Sequence, residues 1–582
     1  MTTQLAPTTL ADLADALIEQ GDFDPETLRT ALGQADRTLH PISALAQQNL
    51  VSRSGKAWDE VMLARWWAGI WQLPFERIDP LQLDVQAITS VMSLGFAQSH
   101  GIMALGVTHD HVTVAVTNPG DTRWVSGLEQ VSKRQVERVI APPSDIERHR
   151  GECYSLSQSI GQAQKRGDAQ RLSDLEQLLD LGSARPDAGR PDADDQSIVQ
   201  VVDWVLRYAF EQRASDIHIE PRRDQTRIRL RIDGLLHTVT QVPAQIGAAT
   251  VSRFKALGRL DVAEKRQPQD GRLKTRSPLG REVELRLSTL PTAFGEKLVA
   301  RIFDPDVLLK AFPDLGLDQD DLKRWQRMTG QREGIVLVTG PTGSGKTTTL
   351  YSTLRHLATD EVNVCTIEDP IELIEPAFNQ VQAQHNIGLD FAAGMKSLLR
   401  QDPDIIMVGE IRDKETADMA VQAALTGHLV VSTLHTNDAP SAITRLLELG
   451  VPAYLLRATL LGVMAQRLGR TLCPYCKSET VPDPAVWAEF IAPFKSAAPA
   501  KICEPVGCEK CRDTGYLGRQ GIYEVLELTD ELRAMIQPDL DAVALKKAAW
   551  SAGSQPLRLA GAARVAQGLT TLEEVGTVTP PH

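Results

Sequence analysis

The chain has 582 residues, 42% of them hydrophobic and 24% charged, with a formal net charge of −13. Length allows three or four domains of ordinary size, and the composition is that of a globular protein. The acidic balance argues against a protein that coats nucleic acid, no run approaches the roughly 18–20 apolar residues of a membrane span, and seven cysteines in so long a chain make no disulfide framework.

The start, "MTTQLAPTTLADLADALIEQGDF", is acidic and has no basic region leading into an apolar core, so no secretory signal is expected and the chain reads as cytoplasmic. Leu10, Leu13 and Leu17, then Leu28 and Leu32, recur at helical spacing, and "FDPET" offers an Asp cap with Pro in the first turn. A similar pattern returns in "ISALAQQNLVSRSGKAWDEVMLARWW" and turns strand-like from about 102, so residues 1–150 are expected to form a mainly helical N-terminal domain. Residues 151–195, ending "LGSARPDAGRPDADD", are poor in apolar residues and rich in Ser, Gly, Asp and Pro, which reads as a flexible linker. An amphipathic helix runs into a strand in "SIVQVVDWVLRYAFEQRASDIHIEP", and "TRIRLRIDGLLHTV" and "VELRLSTLPT" alternate as half-buried strands do. Residues 196–305 are therefore expected to be an α+β middle domain. Beyond them, in 306–582, apolar strands alternate with helices: "GIVLVTG", "NVCTIED", "DIIMVGE", "HLVVSTLH". Such strands predict a parallel sheet covered on both faces.

The strand "EGIVLVTG" runs into "GPTGSGKTTTLYSTL", which satisfies G-x-x-x-x-G-K-[ST]. Gly340, Pro341, Thr342, Gly343, Ser344, Gly345, Lys346, Thr347 and Thr348 then form a phosphate cradle, with backbone N–H groups and a helix N-terminus facing the negative charge. Lys346 is expected on the β- and γ-phosphates of ATP and the Thr347 hydroxyl on Mg²⁺. Ligands of open α/β sheets lie beyond the carboxyl ends of the strands, where Glu368, Glu410 and His435 fall. His428 starts the strand that His435 ends, roughly 23 Å away at about 3.3 Å per residue. His435 is the expected phosphate sensor, and His428 is expected to be structural or at a subunit contact. Gly409 stands where an Asp is common, which leaves Glu410 to hold the metal's water shell and makes Glu368 the candidate to orient the attacking water, with the reversed assignment open.

Cys473 and Cys476 in "CPYC", with Cys508 and Cys511 in "CEKC", supply the four thiolates of a tetrahedral Zn²⁺ site in a small element at about 471–513. A redox pair would need a βαβ context that is missing here.

Together, "GPTGSGKTTTLY", "TIEDPIE", "LLRQDPDIIMVGEIRD" and "ALTGHLVVSTLHTND" resemble the Walker A, aspartate box, Walker B and histidine box of the type II secretion and type IV pilus assembly ATPases. "ASDIHIEP", "RIRLRIDGLL", "KRQPQDGR" and "GEKLVARIFD" resemble that family's second N-terminal domain. The resemblance implies a RecA-like core in a homo-hexamer. It also implies ATP hydrolysis in the cytoplasm that drives pilin-like subunits out of the inner membrane, with membrane contact only through a platform protein and a membrane-anchored docking protein. Retraction-type relatives generally lack the zinc element, so extension or secretion is expected. Some relatives bind cyclic di-GMP through motifs opening Arg-Leu-Gly; "RTLHPISAL" departs from that opening, so docking to a partner is expected instead. A nucleic-acid motor is the alternative, because the core type is shared with helicases; a non-catalytic adaptor does not fit the intact Lys346, Thr347, Glu368 and Glu410.

Residues 253–286 carry ten Lys or Arg against five Asp or Glu. "KRQPQDGR" reads as turn-rich, so Arg266 or Arg272 is expected to reach outward and serve, in the implied ring, a nucleotide bound by the neighbouring subunit.

Overall fold

The computed structural model describes residues 9–53, 58–79, 83–158, 160, 195–278, 280–303 and 315–581, so most of the expected linker lies outside the described residues. The chain divides into two compact units, Met1–Ile302 and Phe303–His582.

In the first unit, the described residues between 9 and 99 are mainly helical, as the leucine spacing predicts, and Asp24 caps the helix Pro25–Gln34 through the Thr27 N–H. A three-stranded sheet follows: β1 (Ile102–Val107), β2 (His111–Val116) and β3 (Gln135–Ile140). The helix Gln196–Glu211 then packs against the helix Ala244–Leu257, which lies on a six-stranded sheet. Its strands are β4 (Asp216–Pro221), β5 (Gln225–Ile232), β6 (Leu235–Pro243), β7 (Gln269–Arg276), β8 (Glu282–Thr292) and β9 (Gly295–Phe303). Asp233 and Gly234, both at positive φ, make the tight turn between β5 and β6, which Asp-Gly favours because Gly carries no Cβ.

The basic stretch differs from its expectation. The turn-rich part ends at Pro268, and Arg272 lies inside β7 opposite Arg286, because the alternation that makes β7 continues back to Gln269. Arg272 is 3.6 Å from Glu284, and Arg266, 89% exposed, pairs with Glu264 at 3.0 Å. Denser positive charge surrounds β4. Arg222, Arg229 and Lys297 converge on buried Glu220, while Arg231 and Arg301 flank buried Asp216.

The second unit is built on a seven-stranded sheet ordered β12-β11-β13-β14-β10-β15-β18. Its strands are β10 (Gly334–Thr339), β11 (Val364–Glu368), β12 (Asn379–Gln382), β13 (Ile405–Val408), β14 (Leu429–Leu434), β15 (Leu460–Leu472) and β18 (Tyr516–Glu527). Neighbours run parallel except β15 and β18. Both faces are covered: Ile335 and Leu337 of β10 join one apolar cluster, Val336 and Val338 the other. This is the expected parallel α/β core. Past the sheet edge, β15 and β18 continue as a two-stranded arm, and a short antiparallel pair, β16 (Ser478–Thr480) with β17 (Ile502–Glu504), lies in the insertion it carries, with the helix Pro484–Ile491 between its strands.

Candidate functional site

Parallel pairing of Thr339 with Leu434 brings the ends of β10 and β14 level, so the phosphate loop and His435 leave the sheet at one edge. The loop needs its glycines. Gly340, Gly343 and Gly345 all have positive φ, and a Cβ on Gly340 would stand 2.5 Å from the Gln466 carbonyl. The helix Lys346–Leu357 follows directly. Lys346 Nζ donates to the carbonyls of Gly340 at 2.8 Å and Pro341 at 3.0 Å. Burial pushes its ammonium down to about 8, against the opposing pull of Glu410. The Ser344 hydroxyl is buried and makes no hydrogen bond among the described residues. A cation and an unmatched hydroxyl under an N–H-rich turn suit a bound phosphate.

The two glutamates differ in surroundings. Glu410, 14% exposed, follows β13 and Gly409. One of its oxygens pairs with Arg412; the other accepts no hydrogen bond among the described residues, and His435 Nε2 lies 3.4 Å from it. Gly409 is explained by packing: a Cβ there would meet the Phe391 ring at 3.3 Å and the Ile367 carbonyl at 3.4 Å. Glu368, by contrast, is 4% exposed and engaged at both oxygens. The Tyr351 hydroxyl donates to one oxygen at 2.6 Å; Thr366 Oγ1 at 2.7 Å and Gln380 Nε2 at 3.1 Å donate to the other. Three donors leave a carboxylate with about one of its four lone-pair sites, so Glu368 is less open to a water than Glu410.

Half-exposed His435 is beside Glu410, as the strand-end argument requires. His428 is elsewhere and occupied: its Nδ1 donates to the Ala423 carbonyl at 2.9 Å, capping the helix Lys414–Leu425. Half-buried Thr347 opens the helix of the phosphate loop, one residue after Lys346.

Several neighbours escaped the sequence reading. Buried Arg467 of β15 donates to the Asn437 carbonyl at 2.7 Å, beneath the loop that follows His435. Buried Glu524 of β18 accepts from the Ala439 N–H at 3.2 Å. Burial, then the nearby Asp438 carboxylate, pushes its pKa up to about 8. The available signal was a charged residue inside an apolar strand, in "GVMAQRLG" and "GIYEVLEL".

At the arm's end, the sulfurs of Cys473, Cys476, Cys508 and Cys511 lie within 4.8 Å of one another. Two of the separations are 3.7 Å, close to the edge of about 3.8 Å that a tetrahedron with metal–sulfur bonds of about 2.3 Å requires. The Cys508 and Gly515 N–H groups donate to Cys511 Sγ at 3.2 Å each, the usual support of a thiolate ligand. The four thiols fit a metal ion; Cys503, in β17, is not among them.

Residues 191–577 match the family described as Type II/IV secretion system protein, and residues 71–160 match the MshEN domain. Among curated relatives, the type IV pilus assembly ATPase TfpB of Acinetobacter baylyi is 52% identical, covering 93% of this chain and 92% of its own. The type II secretion system protein E of Pseudomonas aeruginosa is 45% identical, covering 66% of this chain and 76% of its own. Among solved structures, the ATPase DotB of Yersinia pseudotuberculosis has 20% identity and a TM-score of 0.50, covering 67% of this chain and 96% of its own, a likeness of fold. The MshEN match includes part of the first 150 residues, so the expectation against cyclic di-GMP there is not carried forward.

Proposed function

The chain belongs to the Type II/IV secretion system protein family, and we propose that it is a hexameric ATPase that powers assembly of a type IV pilus or of the pseudopilus of type II secretion. The observation that supports this best is the meeting, at one sheet edge, of the Gly340–Thr347 loop with Glu410 and His435. Backbone N–H groups of the loop hold the β-phosphate, and Lys346, released from its two carbonyls, turns to the γ-phosphate. Thr347 and Glu410 are the residues that would hold Mg²⁺, which would neutralise charge between the phosphates. The free oxygen of Glu410 also makes it a better acceptor for the attacking water than Glu368, to which the sequence reading assigns that role, while its part in holding the metal is kept. His435, beside Glu410, then senses the γ-phosphate. Zn²⁺ is the ion proposed for the four thiols.

An arginine from the first unit of a neighbouring subunit, Arg266 or Arg272, is proposed to complete the charge around the transferring phosphoryl group. Partners follow from the family: a platform protein and a docking protein at the inner membrane. No helix among the described residues is long and apolar enough to cross a membrane.

The test is Mg²⁺-dependent ATP hydrolysis by the purified chain. Lys346→Ala should abolish nucleotide binding, and Glu410→Gln should bind ATP but turn over at least about tenfold slower, while Glu368→Gln should lose stability as well as turnover. Stimulation by DNA that fades with salt would favour a nucleic-acid motor instead.

A further inference from the structure

Tyr351 lies within the helix that begins at the phosphate loop, and its side chain is fully buried. The hydroxyl does not simply fill space. It donates to Glu368 at 2.6 Å, lies 3.1 Å from the Leu373 carbonyl and accepts from Gln380 Nε2 at 3.0 Å. Gln380 Nε2 also reaches the Leu373 carbonyl at 2.9 Å, so the three groups close a ring around one phenol. Burial, then the adjacent carboxylate, pushes the phenol well above its ordinary pKa and keeps it a donor. These partners belong to the end of β11, the loop after it and β12; none belongs to the phosphate helix. Tyr351 is therefore a rigid post between the element that meets the phosphates and the segment 369–380. That segment also carries Ile374, an exposed apolar side chain.

We propose that Tyr351 is a positioning residue that couples occupancy of the phosphate loop to the segment 369–380 by way of Glu368. This rests on the ATPase reading above. When phosphate draws the loop and the first turns of its helix into place, the phenol carries Glu368 and the Leu373 carbonyl with it. Glu368 acts as the fixed end of that link, which accounts for its burial and for its three donors.

The test compares Tyr351→Phe with Thr366→Val in the full chain. Both remove one hydroxyl donor from Glu368, at nearly the same distance, but Thr366 belongs to β11 itself and bridges nothing. Tyr351→Phe should lower kcat about tenfold to a hundredfold with the KM for ATP changed by less than about twofold, the loss expected for a hydrogen bond to a charged group felt only in turnover. Thr366→Val should cost less than about threefold. Amide exchange over 369–380 should slow when a non-hydrolysable ATP analogue binds the parent chain, and should stop responding in Tyr351→Phe although the analogue still binds. If Tyr351→Phe does not fold, Gln380→Leu, which removes the other donor in the ring, must show the same split of kcat from KM. Equal losses in the two hydroxyl variants, or an unchanged exchange response, would overturn the coupling. A parent chain that neither binds nor hydrolyses ATP would instead overturn the ATPase reading, so the two failures can be told apart.

Discussion

His428 and His435 begin and end one apolar stretch, yet only His435 has a carboxylate and a phosphate loop beside it. His435→Ala should slow turnover by about tenfold or more, whereas His428→Ala should cost only the helix cap, about 0.5–1 kcal/mol of stability with turnover nearly intact. Steady-state kinetics and thermal unfolding of both variants separate the two effects; equal losses of turnover in well-folded proteins would sink the distinction. Glu524 gives a pH prediction. Its folded pKa, about 8, lies above that of an unfolded glutamate, so the folded state binds the extra proton. Stability from that proton is complete below the unfolded pKa and is lost as pH rises through about 8. Glu524→Gln keeps an acceptor for the Ala439 N–H and should flatten the fall in melting temperature over that window; an unchanged slope would assign the fall to other groups. Local chemistry at this scale was legible, since Lys346, Thr347, Glu410 and His435 announce themselves through strand ends and a contiguous motif. The partners of Glu368 were not. Tyr351, Thr366 and Gln380 come from three elements, and only the folded register of β11 against β12, with the helix Lys346–Leu357 packed beside them, puts them on one carboxylate.

The strands of the second unit read cleanly because a parallel sheet buries both faces and leaves unbroken Val, Ile and Leu runs. The limits of β7 did not, because Pro268 and Gly271 suggested a turn where the strand had already begun by Gln269. Packing between elements is equally silent in sequence, as Gly394 shows. In the helix Phe391–Leu398 an alanine would ordinarily gain about 0.5–1 kcal/mol over glycine. Here its Cβ would overlap Ile367 Cδ1 in the core under β11. Gly394→Ala should therefore destabilise the unit by about 1–3 kcal/mol, and Ile367→Val, which deletes the clashing methyl, should recover part of that loss. Denaturant melts of the single and double variants check it; simple additivity would refute the clash. The cysteine element makes a separate prediction. Protein purified without chelator should contain one zinc per chain, Cys503→Ser should leave that stoichiometry unchanged, and stripping the metal should open residues 473–515 to protease. Protein free of zinc would refute the assignment.

In the whole molecule, the arginines proposed for the active site and the phosphate loop belong to different units. If they meet only between subunits, activity per chain should rise with protein concentration as rings form. An Arg272→Ala chain mixed with a Lys346→Ala chain, each inactive alone, should recover some turnover at mixed interfaces. Failure in every mixture despite demonstrated exchange of subunits would exclude action in trans. The arm of β15 and β18 carries a consequence of another kind. Leu472 and Tyr516 pair across it, so the chain leaves for the cysteine element and returns to the same spot. To the sheet, the intervening residues are one long loop, and loop length costs a fold little. The element is nevertheless tied to the unit: Trp487 and Ile491 are buried in one apolar cluster with Leu557, Val565 and Val575, the Phe494 ring meets Trp550 edge-on, and Lys477 donates to the Gly568 carbonyl. A chain with the element excised and the arm closed by a short turn should therefore melt at a lower temperature than the parent, because the apolar faces of the helices Leu557–Ala566 and Leu572–Val578 would lose their cover. An unchanged melting temperature would show that the element bears on nothing but its partners.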